Sequence, residues 1–205
     1  MRSALTTASF LLAFALALMP AHAAPEKTRV AIFAGGCFWC VESDFDKVPG
    51  VISTTSGYIG GDARSANYKS VSNGGTGHRE AVKIVYDPKK VSYRRLLHIF
   101  WRSVDPTDDG GQFCDRGSSY KTGVFTLDEG QRKVALQSRK EAEEALGRKI
   151  VTPVLPARTF YPAEGYHQNY HLRNPVRYKV YRYGCGRDRR IRALWGAQAF
   201  GGVTH

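Results

Sequence analysis

The chain has 205 residues, 42% hydrophobic and 23% charged. That composition suits one folded domain with extensions and excludes a disordered polymer. It carries 30 Lys and Arg against 18 Asp and Glu, a formal charge of +12. Apart from Arg187–Arg192 the excess is spread along the sequence, so it reads as a solvated basic surface and not as a nucleic-acid-binding stripe.

Met1–Ala23 has an early Arg2, an apolar run from Phe10 to Met19, then Pro20 and the small-x-small triplet Ala21-His22-Ala23. This is the pattern of a secretory signal peptide. The apolar run of ten residues is about half of the ~20 that a spanning helix needs. Cleavage after Ala23 leaves 182 residues and, without Arg2, 29 basic against 18 acidic side chains, a formal +11. The expected organisation is a signal peptide (1–23) followed by one catalytic domain (24–205), with its core over 28–184 and a tail over 185–205. The expected location is outside the cytosol, periplasmic or secreted. Met1 and Met19 are the only methionines, so the mature chain lacks the thioether most readily oxidised to a sulfoxide.

Arg29–Ala34 is an apolar run of strand length. Gly35-Gly36 follows, then a helical pattern over Cys37–Lys47 with Phe38, Val41 and Phe45 on one face, ended by Pro49-Gly50. Val51–Tyr58 is rich in β-branched residues and predicts a strand. Gly60-Gly61 and Gly74-Gly75 bound a loop-rich section. Glu80–Asp87 predicts a strand placing Glu80, Val82, Ile84 and Tyr86 on one face. A helix over Ser92–Ser103 turns Leu96, Leu97, Phe100 and Trp101 inward. A strand over Tyr120–Thr126 meets a capping-box pattern, Thr126-Leu127-Asp128-Glu129, which opens a charged helix ending at Gly147. A short strand is expected at Ile150–Leu155, then irregular chain with one short helix near Arg189–Trp195. Helices interspersed among strands predict an α+β fold: a ferredoxin-like two-layer sandwich of a mixed sheet with helices mainly on one face, wrapped by an irregular C-terminal extension.

The chemistry is concentrated at Gly35-Gly36-Cys37-Phe38-Trp39-Cys40, where a strand ends and a helix begins. The first-turn N–H groups of a helix lack partners, and the dipole there favours negative charge. A cysteine at that point is therefore expected as a thiolate nucleophile. Cys40, three residues on, lies on the same helical face and within reach of a disulfide with modest adjustment. The C-x-x-C pair alone also fits a thioredoxin-like thiol–disulfide oxidoreductase, with Thr152-Pro153 as its proline loop. Half of a zinc site is disfavoured, because Cys114 and Cys185 stand alone. Four cysteines in an exported chain also fit a basic binding module stapled by two disulfides.

Part of this segment and four further ones narrow these readings. Gly-Cys-Phe-Trp at 36–39, Gly57-Tyr58-Ile59-Gly60-Gly61, Thr76-Gly77-His78-Arg79-Glu80-Ala81-Val82, Asp115-Arg116-Gly117-Ser118-Ser119-Tyr120 and Tyr166-His167-Gln168-Asn169-Tyr170 occur in the order of the motifs of the peptide methionine sulfoxide reductase A family. The resemblance spans about 29–184. It implies thiol-dependent reduction of methionine-S-sulfoxide, free or in proteins, with Cys37 becoming a sulfenic acid as methionine departs. It gives Glu80 the part of general acid, its pKa raised by partial burial. Tyr58 and Tyr120 would hydrogen-bond the sulfoxide oxygen. Phe38 and Trp39 would hold the S-methyl group, and Asp115 would face the substrate as an acceptor. No cofactor or metal is implied; His167 and His171 read as structural. A thioredoxin-like dithiol would supply reducing equivalents to a monomer.

Two cysteines are candidates to resolve the sulfenic acid. Cys40 closes the shorter loop. Cys185, between Gly184 and Gly186, resembles the flexible recycling tails of the family. Cys114 carries no assigned chemistry.

Overall fold

The computed structural model describes residues 28–203, so the expected signal peptide lies outside the described residues. The elements run Arg29–Ala34 (β1), Phe38–Phe45 (α1), Val51–Ile59 (β2), Tyr68–Ser72 (α2), Arg79–Tyr86 (β3), Tyr93–Trp101 (α3), Gly111–Gln112 (β4), Asp115–Arg116 (β5), Gly123–Thr126 (β6), Glu129–Leu146 (α4), Val154–Pro156 (β7), Phe160–Pro162 (β8), Tyr170–Arg173 (α5), Pro175–Gly184 (α6) and Arg187–Trp195 (α7).

Six strands form one mixed sheet in the order β7-β6-β1-β3-β2-β8. β7 pairs parallel to β6, and the other neighbours are antiparallel. Alternation along each strand sorts the side chains into two layers. Ala31, Phe33, Val82, Ile84, Tyr86 and Val124 meet α1, α3, α4 and α7 in the main core, with Leu96, Leu97, Phe100 and Trp101 fully buried as expected. On the opposite face Ile32, Ala34, Ile59, Ala81 and Phe125 form a small patch, covered by Leu155, Ala157 and Phe160. The fold is thus α+β, with its helices on one side of the sheet. A two-stranded hairpin, β4–β5, stands apart from the sheet.

Four expectations change. Tyr120 ends a 3-10 turn, Ser118–Tyr120, and is not on a strand. The strand expected at Ile150–Leu155 begins only at Val154, because the Val151 N–H donates to Pro106 O (2.9 Å) and pulls that stretch away from the sheet. The cap of α4 is Asp128, not Thr126. Its carboxylate accepts from Gln131 N, while Gln131 Oε1 accepts from Leu127 N. The C-terminal region is largely helical. In α6 the apolar Val176, Val180 and Tyr183 are exposed while Tyr178 and Arg182 are buried, so its polarity pattern is inverted relative to an ordinary amphipathic helix.

Candidate active site

β1 delivers the chain into Gly35-Gly36, and Cys37 is the N-cap of α1. Gly36 has φ +81°, and a Cβ there would sit 2.5 Å from Gln112 Cβ, so glycine alone fits. The turn is fastened from far along the chain. Arg187, 1% exposed, donates from Nη1 to Gly35 O (3.0 Å) and from Nη2 to Ser103 O (2.8 Å). Its guanidinium lies over the Phe113 ring at 4.7 Å.

Glu80 enters from β3, which runs beside β1. It is 2% exposed, and its Oε2 accepts the Phe38 N–H, the first of α1, at 2.9 Å. The acid is thereby docked beside the residue that caps the helix. Burial pushes its pKa up to about 8; the Phe38 N–H offsets part of this, and the charge of Asp115 adds to it. Glu80 therefore holds its proton at neutral pH, the condition a general acid requires.

Cys37, Glu80 and Asp115 share a cavity of about 50 Å³ walled by Phe38, Trp39, Tyr68, Tyr120 and Tyr181. On that measure a single water needs ~10–15 Å³, so the cavity has room for a methyl group and a polar atom. Trp39 stacks on Tyr170 (3.7 Å, 6°) and its indole N–H donates to His167 Nδ1 at 3.1 Å. His171 instead faces Asp46, so the two histidines do not form a pair. Gln168 holds this segment to β2, accepting from Ser56 N and donating to Ser56 O, both at 2.9 Å.

Tyr58 does not line the cavity. Its ring packs on Phe38 and its hydroxyl donates to Glu164 Oε2 at 2.8 Å. The other oxygen of Glu164 accepts the Tyr68 N–H at 2.8 Å. The tyrosine beside Tyr120 is thus Tyr68, a residue sequence reasoning missed. It opens a five-residue helix within what reads as loop, and no periodicity marks it. Tyr58 holds Tyr68 in place through Glu164.

The cysteines depart from expectation in two ways. Burial pushes the Cys37 thiol well above its ordinary pKa, and its hydrogen bond to Cys40 and the charges of Cys40, Glu80 and Asp115 push the same way. The helix start alone does not ionise it, because the sulfur is shut from water and faces acidic groups. Cys40 is the more acidic partner: the hydrogen bond from Cys37 lowers its pKa against burial, helped by the charges of Arg187 and Arg182. Cys185 is bonded to Cys114, leaving Cys37 and Cys40 as the free, buried thiols. Among the described residues, the one group with three metal-ligand side chains, Cys114, Asp115 and Cys185, has both sulfurs in that disulfide.

Residues 29–199 match the family described as peptide methionine sulfoxide reductase. The chain is 53% identical over 188 residues to "Peptide methionine sulfoxide reductase MsrA 2" of Rhizobium meliloti (strain 1021), covering 92% of this chain and 93% of that protein. It is 47% identical to the MsrA of Bacillus licheniformis, over 83% of this chain and 96% of that one. Among solved structures it resembles reduced Mxr1 from Saccharomyces cerevisiae, with a TM-score of 0.70 and 32% identity over 74% of this chain and 88% of the yeast one.

Proposed function

Given that the chain belongs to the peptide methionine sulfoxide reductase A family, an oxidoreductase family that reduces methionine sulfoxide with thiols through a disulfide intermediate, we propose the following division of labour among its residues. The S-methyl group lies against Phe38 and Trp39, so that sulfur faces Cys37 and oxygen faces Glu80, Tyr68 and Tyr120. Asp115 accepts a hydrogen bond from the substrate side. As the Cys37 sulfur attacks, its proton passes to Cys40, and Glu80 protonates the oxygen. The protonated oxygen then passes to the Cys37 sulfur: the substrate S–O bond and the new Cys37–sulfur bond both break, Cys37 becomes a sulfenic acid, and the thioether leaves. The thiol of Cys40 then attacks, releasing water and forming a Cys37–Cys40 disulfide. A thioredoxin-like dithiol returns both thiols and becomes a disulfide itself. No prosthetic group takes part.

The observation that carries this reading is the docking of a protonated carboxyl, Glu80, on the first N–H of the helix that Cys37 caps. A thioredoxin-like oxidoreductase has no use for that acid or for the tyrosine wall. The test is incubation with dithiothreitol and each epimer of methionine sulfoxide, beside an insulin-disulfide assay. The S epimer is expected to be consumed, with weak insulin reduction. Equal loss of both epimers, or insulin reduction alone, overturns the reading.

We also read the four central strands as a ferredoxin-like core; the order β6-β1-β3-β2 supports it. Met1–Ala23 is proposed as a cleaved export signal for a periplasmic, monomeric enzyme that repairs oxidised exported proteins. N-terminal sequencing of the protein from a periplasmic fraction should begin at Ala24. An intact Met1 in that fraction counts against cleavage.

A further inference from the structure

The Cys114–Cys185 disulfide joins two elements that also meet inside the cavity. Cys114 is at the tip of the β4–β5 hairpin, between Gln112 and Asp115, which face each other across it. Cys185 caps the end of α6, and its N–H donates to Tyr181 O at 2.9 Å. One residue from the first cysteine, Asp115 turns into the cavity; one helical turn before the second, Tyr181 does the same. The Tyr181 hydroxyl donates to Asp115 Oδ2 at 2.5 Å, and its ring meets Trp39 edge-on at 5.7 Å. The disulfide and this hydrogen bond therefore close one small ring between hairpin and helix. Neither cysteine is needed for the chemistry assigned to Cys37 and Cys40.

We propose that Tyr181 is a positioning residue for the substrate carboxylate Asp115, and that the Cys114–Cys185 disulfide fastens it there, so that reduction of this bond loosens the substrate-side wall without disabling the nucleophile. The release is a simple exchange. A dithiol attacks the bond, Cys114 and Cys185 each gain a thiol hydrogen, and the dithiol becomes a disulfide. Cys114 is exposed at the hairpin tip, open to such a donor. Substrate affinity then follows the redox state of the surroundings, tight when the pair is oxidised and weaker when it is reduced.

The inference rests on the assignment of the Cys37 cavity as the sulfoxide site, and the experiment separates the two. Methionine formed in a single turnover without added thiol is measured against sulfoxide concentration for the wild type, Cys114→Ser/Cys185→Ser, Tyr181→Phe and the triple variant. The double serine variant should raise the half-saturating concentration about tenfold and leave the maximal rate within about threefold. Tyr181→Phe, with the disulfide intact, should do the same and stands in if the serine variant fails to fold. The triple variant should add little, because the changes act through one wall. Unchanged half-saturation in Tyr181→Phe, or trapped sulfenic acid in the serine variant, overturns the proposal. A wild type that forms no methionine in this assay overturns the sulfoxide-site reading instead.

Discussion

Replacing Glu80 with glutamine should cost activity and add stability, and the second effect depends on pH. Glutamine preserves size and can still accept the Phe38 N–H, but carries no proton to give. Loss of a positioned general acid lowers rates by ~10²–10⁴-fold, so single-turnover sulfoxide reduction should fall by that amount. The stability effect follows from the pKa of about 8 in the folded protein against 4.5 for an ordinary glutamate. Folded protein keeps a proton that the unfolded chain releases. The resulting stabilisation is full below 4.5 and is lost as pH rises through 8. Between pH 5 and pH 9 this amounts to roughly 4 kcal/mol for one group with those two values. Glu80→Gln should therefore match the wild type at pH 5 within about 1 kcal/mol and exceed it by roughly 4 kcal/mol at pH 9. Urea unfolding at the two pH values measures this directly. A difference that does not change with pH, or a variant that keeps more than a tenth of the rate, refutes the protonated-acid argument.

Tyr68→Phe and Tyr120→Phe should each slow the first chemical step by ~10²-fold, the loss usual for one oxyanion donor. Tyr58→Phe should slow it less, since its hydroxyl acts on Glu164; quenched-flow rates rank the three. Cys40→Ser should accumulate a Cys37 sulfenic acid that a carbon nucleophile such as dimedone traps, whereas Cys185→Ser should still lose two thiols per turnover. The opposite pattern makes Cys185 the resolving residue. Deleting the Cys114–Cys185 bond releases a loop spanning 71 positions, and the chain-entropy relation gives about 4 kcal/mol for that length. A double serine variant within 1 kcal/mol of the wild type in urea contradicts that estimate.

Position by position, legibility followed how local the signal was. β3 and α3 were readable because their apolar residues repeat at the period of the element, and β1 because it is a continuous apolar run, buried on both faces. Cys37 and Glu80 stood out through their motifs, and their adjacency comes from β1 and β3 being neighbours. Tyr68 was hidden because its place depends on Glu164, a residue 96 positions away. α6 was hidden because its buried face is built from Tyr178 and Arg182, with Arg182 satisfied by Asp44 at 2.6 Å; no hydropathy pattern reports such a partner. The acidity of Cys37 was misread for the same reason. The helix start is visible in sequence, but the carboxyl groups opposite it and its exclusion from water are not. The disulfide joins two cysteines that looked isolated.

Arg187 carries a consequence for how the enzyme comes into being. It grips the carbonyl of Gly35 across 152 positions, and His167, Tyr170 and Tyr181 complete the pocket around Trp39 and Asp115 from the same late stretch of chain. A nascent polypeptide that has emerged through its first 150 residues already contains the nucleophile and the acid, yet not the clasp or the far wall. Competence thus arrives only once residues 167–187 have joined the fold, rather than with its chemical groups.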